Sequence, residues 1–232
     1  MKKFGNFIPH NGPYSKRRFL RSSIIGGAAL SATPGLFAEL LLKTPKQTEG
    51  PYYPDSFPLD TDNDLIVLND SLTPAVGEIT YLSGRIIDAG GDPIKNAVVE
   101  IWQCDGKGSY LHSKGANPRN GRKRDSHFQG FGRFLTGAKG EYFFRTIKPV
   151  PYPGRTPHIH VIVKKGNKRL LTTQCYIKGH ELNARDGVLR QIRNPKLKEL
   201  LMVDWKPVTG SKIVEYGAQW DIIVGHTPAD AA

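Results

Sequence analysis

The stretch Ile79-Thr80-Tyr81-Leu82-Ser83-Gly84-Arg85-Ile86-Ile87-Asp88, then Ala89-Gly90-Gly91-Asp92-Pro93, then Ala97-Val98-Val99-Glu100-Ile101-Trp102, decides the fold class. Its two outer parts are rich in β-branched residues and partly alternate. Gly, Asp and Pro between them supply a turn, so the segment reads as strand, turn, strand. The same texture recurs in Gly140-Glu141-Tyr142-Phe143-Phe144-Arg145-Thr146, in Ile159-His160-Val161-Ile162-Val163, in Leu170-Leu171-Thr172-Thr173-Gln174-Cys175-Tyr176-Ile177 and in Gln219-Trp220-Asp221-Ile222-Ile223-Val224. Punctuation such as Lys165-Gly166-Asn167 keeps each run short. Many short strands joined by turns predict an all-β protein, an antiparallel β-sandwich with short helices and long loops. The helical stretch expected, near Pro195-Lys196-Leu197-Lys198-Glu199-Leu200-Leu201, is brief.

The rest of the chain fits around that body. With 232 residues, 38% of them hydrophobic, one sizeable core is expected, and the 25 Gly and 17 Pro are spread rather than gathered in a low-complexity tract. Residues 78–232 are read as the sandwich domain. Residues 44–77, rich in Pro, Asp and Thr and without a sustained period, are read as an extended arm lying over it.

Residues 1–43 read as an export leader. Ser15-Lys16-Arg17-Arg18-Phe19-Leu20-Arg21 precedes an apolar stretch from Ser22 to Ala38 that is softened by Gly26, Gly27 and Pro34 and is short for a membrane span. The basic run resembles a twin-arginine signal, with Lys16-Arg17 or Arg17-Arg18 as the pair. An ordinary signal or an uncleaved anchor competes, because the cleavage site is poorly defined and Leu40-Leu41-Leu42 prolongs the apolar character. The expectation is an exported protein, periplasmic or extracellular, touching a membrane only through its leader if that is uncleaved.

The formal charge of +12 raises the question of nucleic acid, but Lys2, Lys3, Lys16, Arg17, Arg18 and Arg21 lie in the first 38 residues, which hold no acid. Half of the excess therefore belongs to the leader. Arg119, Arg122, Lys123, Arg124 and Arg133, near Phe128, Phe131 and Phe134, read as a solvated loop rather than a nucleic-acid surface. Only Cys104 and Cys175 are present, each in an apolar context, and both are expected to be buried thiols rather than metal ligands.

Candidate chemistry starts at His158-Ile159-His160. Side chains at i and i+2 of a strand share a face, so two imidazoles can meet one metal, although a surface or satisfied pair of this kind is commoner than a metal site. Upstream, Pro149-Val150-Pro151-Tyr152-Pro153-Gly154-Arg155-Thr156-Pro157 is a stiff, non-helical approach that can fix Tyr152 and Arg155 near the imidazoles at little entropic cost. A phenol loses its proton near pH ~10. A tyrosinate at neutral pH therefore needs a strong Lewis acid beside it, and two anionic oxygens with two neutral nitrogens favour a hard trivalent ion such as iron(III).

Several motifs then resemble one family. They are Thr48-Glu49-Gly50-Pro51-Tyr52-Tyr53-Pro54, the segment from Val99-Glu100-Ile101-Trp102-Gln103-Cys104-Asp105 through Gly106-Lys107-Gly108-Ser109-Tyr110-Leu111-His112, and the stretch from Phe128-Gln129-Gly130-Phe131-Gly132-Arg133 to Phe144-Arg145-Thr146-Ile147-Lys148-Pro149. Their order and content, over roughly Thr48 to Gly225, are similar to the intradiol ring-cleavage dioxygenases, which include protocatechuate, catechol and hydroxyquinol enzymes. The resemblance implies a non-haem Fe(III) site with Tyr110 and His158 equatorial, Tyr152 and His160 axial, and a bound hydroxide. It implies dioxygen as co-substrate and cleavage of a catechol-type ring between its hydroxylated carbons to a muconate-type diacid. Tyr152 is implied as the base that takes a substrate proton on leaving the metal. Arg155 is implied to stabilise negative charge on the substrate, and Gln174 to be a polar neighbour in the same pocket.

His112, His127, His180 and His226 match no ligand position. All four ligand positions are filled, so the chain does not resemble the ligand-lacking subunit of protocatechuate enzymes; a homo-oligomer and a pairing with a related subunit both stay open. Only five residues separate Tyr152 from His158, fewer than in the well-known cytoplasmic members, and Gly154 stands where a bulkier residue is common. Both suggest a more open pocket. The leader and short arm leave no room for the helical dimerisation region of catechol-type enzymes. The competing readings are a non-catalytic secreted β-sandwich binding module and a copper or zinc protein using His158 and His160.

Overall fold

The computed structural model describes residues 40–68 and 73–225. The twin-arginine-like run and the apolar stretch expected over Ser22–Ala38 lie outside the described residues, as does His226. Among the described residues, no helix is long and apolar enough to cross a membrane.

Among the described residues, ten strands form two five-stranded sheets. In the first, β1 (Ile79–Ile87) pairs antiparallel with β4 (Glu141–Ile147) and parallel with β9 (Glu215–Gln219) and β10 (Ile222–Ile223), and β8 (Trp205–Pro207) pairs antiparallel with β9. The second runs in the order β3 (Phe131–Leu135), β2 (Val98–Trp102), β5 (His158–Lys165), β6 (Lys168–Ile177) and β7 (Met202–Val203). Helix α1 (Pro195–Glu199) is a short piece capped by Asn194, whose side chain accepts from the amides of Lys196 and Leu197.

The all-β sandwich is as expected, but the sheets are mixed. The parallel pairs β1·β9, β1·β10 and β6·β7 depart from the purely antiparallel reading. The run Gln219–Val224 is also not one strand. Trp220 breaks it by donating its amide to the Ser83 carbonyl while its own carbonyl accepts from the Tyr142 hydroxyl at 2.6 Å. A Cβ at Gly84 would lie 1.8 Å from that carbonyl, so the absence of a side chain there permits the crossing. Asp221 then clasps Arg85 through both backbone and guanidinium.

The sheets pack face to face over an apolar core. Leu82, Ile86, Phe144 and Ile147 of the first sheet meet Val99, Ile101, Ile159, Val161 and Val163 of the second. Residues 44–54 of the arm form no strand but are fastened to the domain. The Thr44 amide donates to the Ile223 carbonyl, the Gln47 amide to the Thr172 carbonyl at 2.9 Å, and the Tyr53 hydroxyl to buried Glu100. Glu100 also pairs with Arg133, its cross-strand partner on β3, and with Lys164. Arg133 is therefore engaged in an ion pair, not free in a loop. Cys104 and Cys175 are buried free thiols.

Candidate metal centre

Strand β5 carries two environments. Ile159, Val161 and Val163 point into the core between the sheets, while His158, His160 and Ile162 occupy the other face, beside Trp102 of β2. The Nε2 atoms of His158 and His160 lie 3.1 Å apart, and the Tyr110 hydroxyl is 3.2 Å from His158 Nε2. The ring of Tyr152 stands 5.4 Å from that of Tyr110 and 5.5 Å from that of His158. Tyr110, Tyr152, His158 and His160, distant in sequence in the case of Tyr110, are thus gathered at one point.

Each of these side chains is positioned by local chemistry. Asp105 Oδ1 accepts from the amides of Lys107 and Ser109 at 2.9 Å each, and the Asp105 amide donates to the Ser109 carbonyl, folding the loop that ends at Tyr110. Gly108, at φ +78°, lies where a Cβ would sit 2.8 Å from Asn117 Nδ2 and 3.3 Å from the Tyr152 Cβ, so this loop closes on Tyr152 only through glycine. Tyr152-Pro153-Gly154-Arg155 is a tight turn, with the Arg155 amide donating to the Tyr152 carbonyl at 3.0 Å and Gly154 at φ +84°. Proline second and a left-handed glycine third are what a type II turn demands. The turn sets the Arg155 Nη1 3.4 Å from the Tyr152 hydroxyl.

Arg155 is held on several sides. Its Nη2 donates to Gln174 Oε1 at 2.6 Å, its Nε donates to Asp186 Oδ2 at 2.8 Å, and the Tyr176 hydroxyl lies at 3.5 Å. Gln174 in turn donates to the Thr48 carbonyl of the arm at 2.9 Å. Burial pulls the Arg155 pKa down, but Asp186 and the two tyrosines outweigh it and the net shift is upward. The guanidinium is a fixed cation.

The two imidazoles are neutral. Burial, with the Arg155 charge behind it, takes His158 down to about 3, and burial with His158 and Arg155 takes His160 well below its usual value. His158 Nδ1 is 2.6 Å from the Thr156 carbonyl and must donate to it, which leaves a lone pair on Nε2 facing Tyr110 and His160. The Nδ1 of His160 is buried without a partner, and its ring stacks on Trp102 at 4.7 Å and 12°. Burial pushes the Tyr110 phenol well above its ordinary range; it also raises Tyr152, against the opposing pull of Arg155. Both phenols therefore keep their protons unless a cation arrives among them. Among the described residues, no three His, Cys, Asp or Glu side chains are placed to share a metal, so a metal at this point needs the phenols.

Among the described residues, His112, His127 and His180 make no hydrogen bond to Tyr110, Tyr152, His158 or His160. His112 lies near Asp55 and Tyr52, and His180 caps a 3-10 turn over Glu181–Ala184. Two neighbours escaped the sequence reading as parts of the site. Tyr52 stacks on Tyr110 at 5.0 Å and meets Tyr152 edge-on at 6.2 Å. The Gly50-Pro51-Tyr52 run marked the arm but not its contact with the tyrosines. Asp186 is 31 residues from Arg155, and nothing local in Arg185-Asp186-Gly187 signals the pairing.

A family model described as Dioxygenase matches residues 48–224. The chain is 37% identical over 125 residues to a protocatechuate 3,4-dioxygenase beta chain from Burkholderia cepacia, a match covering 50% of this chain and 51% of that one. It is 30% identical over 188 residues to a protocatechuate 3,4-dioxygenase alpha chain from Pseudomonas putida, covering 74% of this chain and 88% of that one. Among solved structures, the dioxygenase domain of a dioxygenase carbohydrate-binding protein fusion from Streptomyces sp. SirexAA-E superposes with a TM-score of 0.59 at 27% identity, covering 80% of this chain and 99% of the other. The matched segment thus spans about half the length of the B. cepacia relative and nearly all of the Streptomyces domain.

Proposed function

Because this chain belongs to the intradiol ring-cleavage dioxygenase family, we propose that it uses dioxygen and Fe(III) to open a catechol-type ring between its two hydroxylated carbons. Catechol, protocatechuate or a related diol would give a muconate-type diacid. The observation that carries this reading is the convergence of Tyr110 Oη, His158 Nε2 and His160 Nε2 within 3.2 Å steps, with Tyr152 beside them. Two phenol oxygens and two neutral imidazoles suit a hard trivalent cation, and the fixed Nε2 lone pair of His158 is the form a metal requires. Tyr110, Tyr152, His158 and His160 would hold the iron, which when bound withdraws electron density from the diol and makes its ring reactive toward dioxygen.

The chain's own groups supply the remaining chemistry. Tyr152 is less buried than Tyr110 and lies beside Arg155, so the phenolate oxygen it would offer to the iron is the one suited to take up a proton from an incoming diol and become a neutral phenol. Arg155 presents a permanent positive charge where the diolate's negative charge would build, and Gln174 fixes its Nη2. Trp102 and Tyr52 wall the site with aromatic faces and limit water around it. A histidine-based copper or zinc site would lack a third ligand of the usual kinds among the described residues.

The iron-loaded protein should be red-brown, from tyrosinate-to-iron(III) charge transfer. A protein that binds iron without visible absorption would sink the ligand assignment. The leader supports export to the periplasm or beyond. Changing Lys16, Arg17 and Arg18 to Gln should strand the protein in the cytoplasm, and undiminished export would refute that reading.

A further inference from the structure

We propose that Asp186 is the positioning residue of this site: one buried carboxylate sets both the Arg155 guanidinium and the backbone that orients His158. The proposal rests on the dioxygenase reading above. The Asp186 side chain is fully buried and accepts four hydrogen bonds. Its Oδ2 accepts from Arg155 Nε at 2.8 Å and from the Thr156 amide at 3.0 Å, and its Oδ1 accepts from the amides of Val188 at 3.0 Å and Leu189 at 2.8 Å.

The second contact reaches the metal ligands. Thr156, held at its amide by Asp186, offers its carbonyl to His158 Nδ1 at 2.6 Å, which fixes that ring's tautomer and tilt. The first contact orients the guanidinium. With Nε tied to Asp186 and Nη2 to Gln174, Arg155 has no freedom to swing away from the Tyr152 hydroxyl. The Asp186 carboxylate hydrogen-bonds none of Tyr110, Tyr152, His158 and His160, so its action passes through these two neighbours.

Chemistry restricts the residue to a carboxylate. All four partners are N–H donors, and only an ionised carboxylate offers acceptors alone at both of its ends. An asparagine would turn its NH2 toward either Arg155 and Thr156 or Val188 and Leu189, leaving N–H facing N–H in a buried place. A glutamate keeps the acceptors but shifts them by one methylene.

The test uses the iron-loaded full chain and compares wild type, Asp186→Glu and Asp186→Asn. Turnover of a catechol-type diol should fall in that order, with kcat of Asp186→Asn down about 10- to 100-fold and KM changed far less. Iron should also be lost to a chelator faster from Asp186→Asn, a readout independent of turnover. In a cycle with Arg155→Ala, Asp186→Asn should cost clearly less turnover in the Arg155→Ala background than in wild type, the loss that remains passing through Thr156 and His158. Additive losses would mean a merely structural role and overturn the proposal, as would kcat of Asp186→Asn within about twofold of wild type. Should Asp186→Asn not fold, Asp186→Glu carries the test: a reduced kcat at normal iron content supports the proposal, and a wild-type kcat overturns it. A wild-type protein that binds iron yet consumes no dioxygen would instead bring down the dioxygenase reading, and this proposal with it.

Discussion

The two faces of β5 share a backbone and differ in almost everything else. On one, Ile159, Val161 and Val163 close against Leu82, Phe144 and Ile147, with apolar side chains meeting apolar side chains. On the other, His158 and His160 are equally buried but carry nitrogen atoms that the protein satisfies only in part. The first face gains stability from burial alone, about 25 cal/mol for each Å² of apolar surface removed from water. The second forgoes part of that gain, since burying a polar group is unfavourable unless it is paired. What it obtains instead is a set of donor atoms held neutral and close together, ready for a cation. Adjacent positions on one strand thus separate what holds the fold from what the proposed site would use.

That separation can be broken experimentally. The largest effect is expected from the core face: Ile159→Ala should destabilise the protein by about 2–5 kcal/mol, measured by urea unfolding, while leaving iron affinity within about threefold. On the opposite face, His158→Ala should weaken iron binding by more than about 100-fold, beyond the usual effect of losing an outer partner of a ligand, as read by equilibrium dialysis. If Ile159→Ala also abolished iron binding at temperatures where it is folded, the two faces would not be independent.

A further effect should follow pH in the metal-free protein. The folded His158 titrates at about 3, because burial and Arg155 oppose its charge, whereas an unfolded histidine titrates near ~6.5. Below the unfolded value the unfolded chain takes up a proton that the native state refuses. Stability present above that pH is therefore lost progressively as the pH falls toward about 3, by at most about 1.4 kcal/mol per pH unit. His158→Gln should flatten that slope by one proton. An unchanged slope would show that the imidazole is not held neutral.

The strand pattern made most of this fold legible. Runs such as Ile159–Val163 and Leu170–Ile177 announce themselves because β-branched and aromatic residues fill both of their faces. Strand β3 was hidden, since Phe131-Gly132-Arg133-Phe134-Leu135 reads as a basic aromatic loop until Glu100 is seen opposite Arg133. Parallel pairing of β1 with β9 and β10 was hidden too, because it depends on a chain crossing at Gly84 that no local propensity reports. At the site, the spacing of His158 and His160 carries its own geometry, and the turn chemistry of Pro153-Gly154 explains why Tyr152 and Arg155 stay together. Tyr110 enters through a loop whose shape depends on Asp105, so only its motif, not its spacing, could place it among candidates. Asp186 and Tyr52 had no signal at all that ties them to the histidines, because contacts of this kind are made by the tertiary fold and not by neighbours in sequence.

Oxygen uptake by the iron-loaded protein, with product identification across catechol, protocatechuate and hydroxyquinol, tests the central claim most directly. For at least one diol, the proposal predicts one dioxygen consumed per ring opened and a muconate-type diacid carrying both oxygen atoms. An iron-replete protein that consumed no dioxygen with any of them, or that gave a semialdehyde from cleavage beside rather than between the hydroxylated carbons, would contradict it.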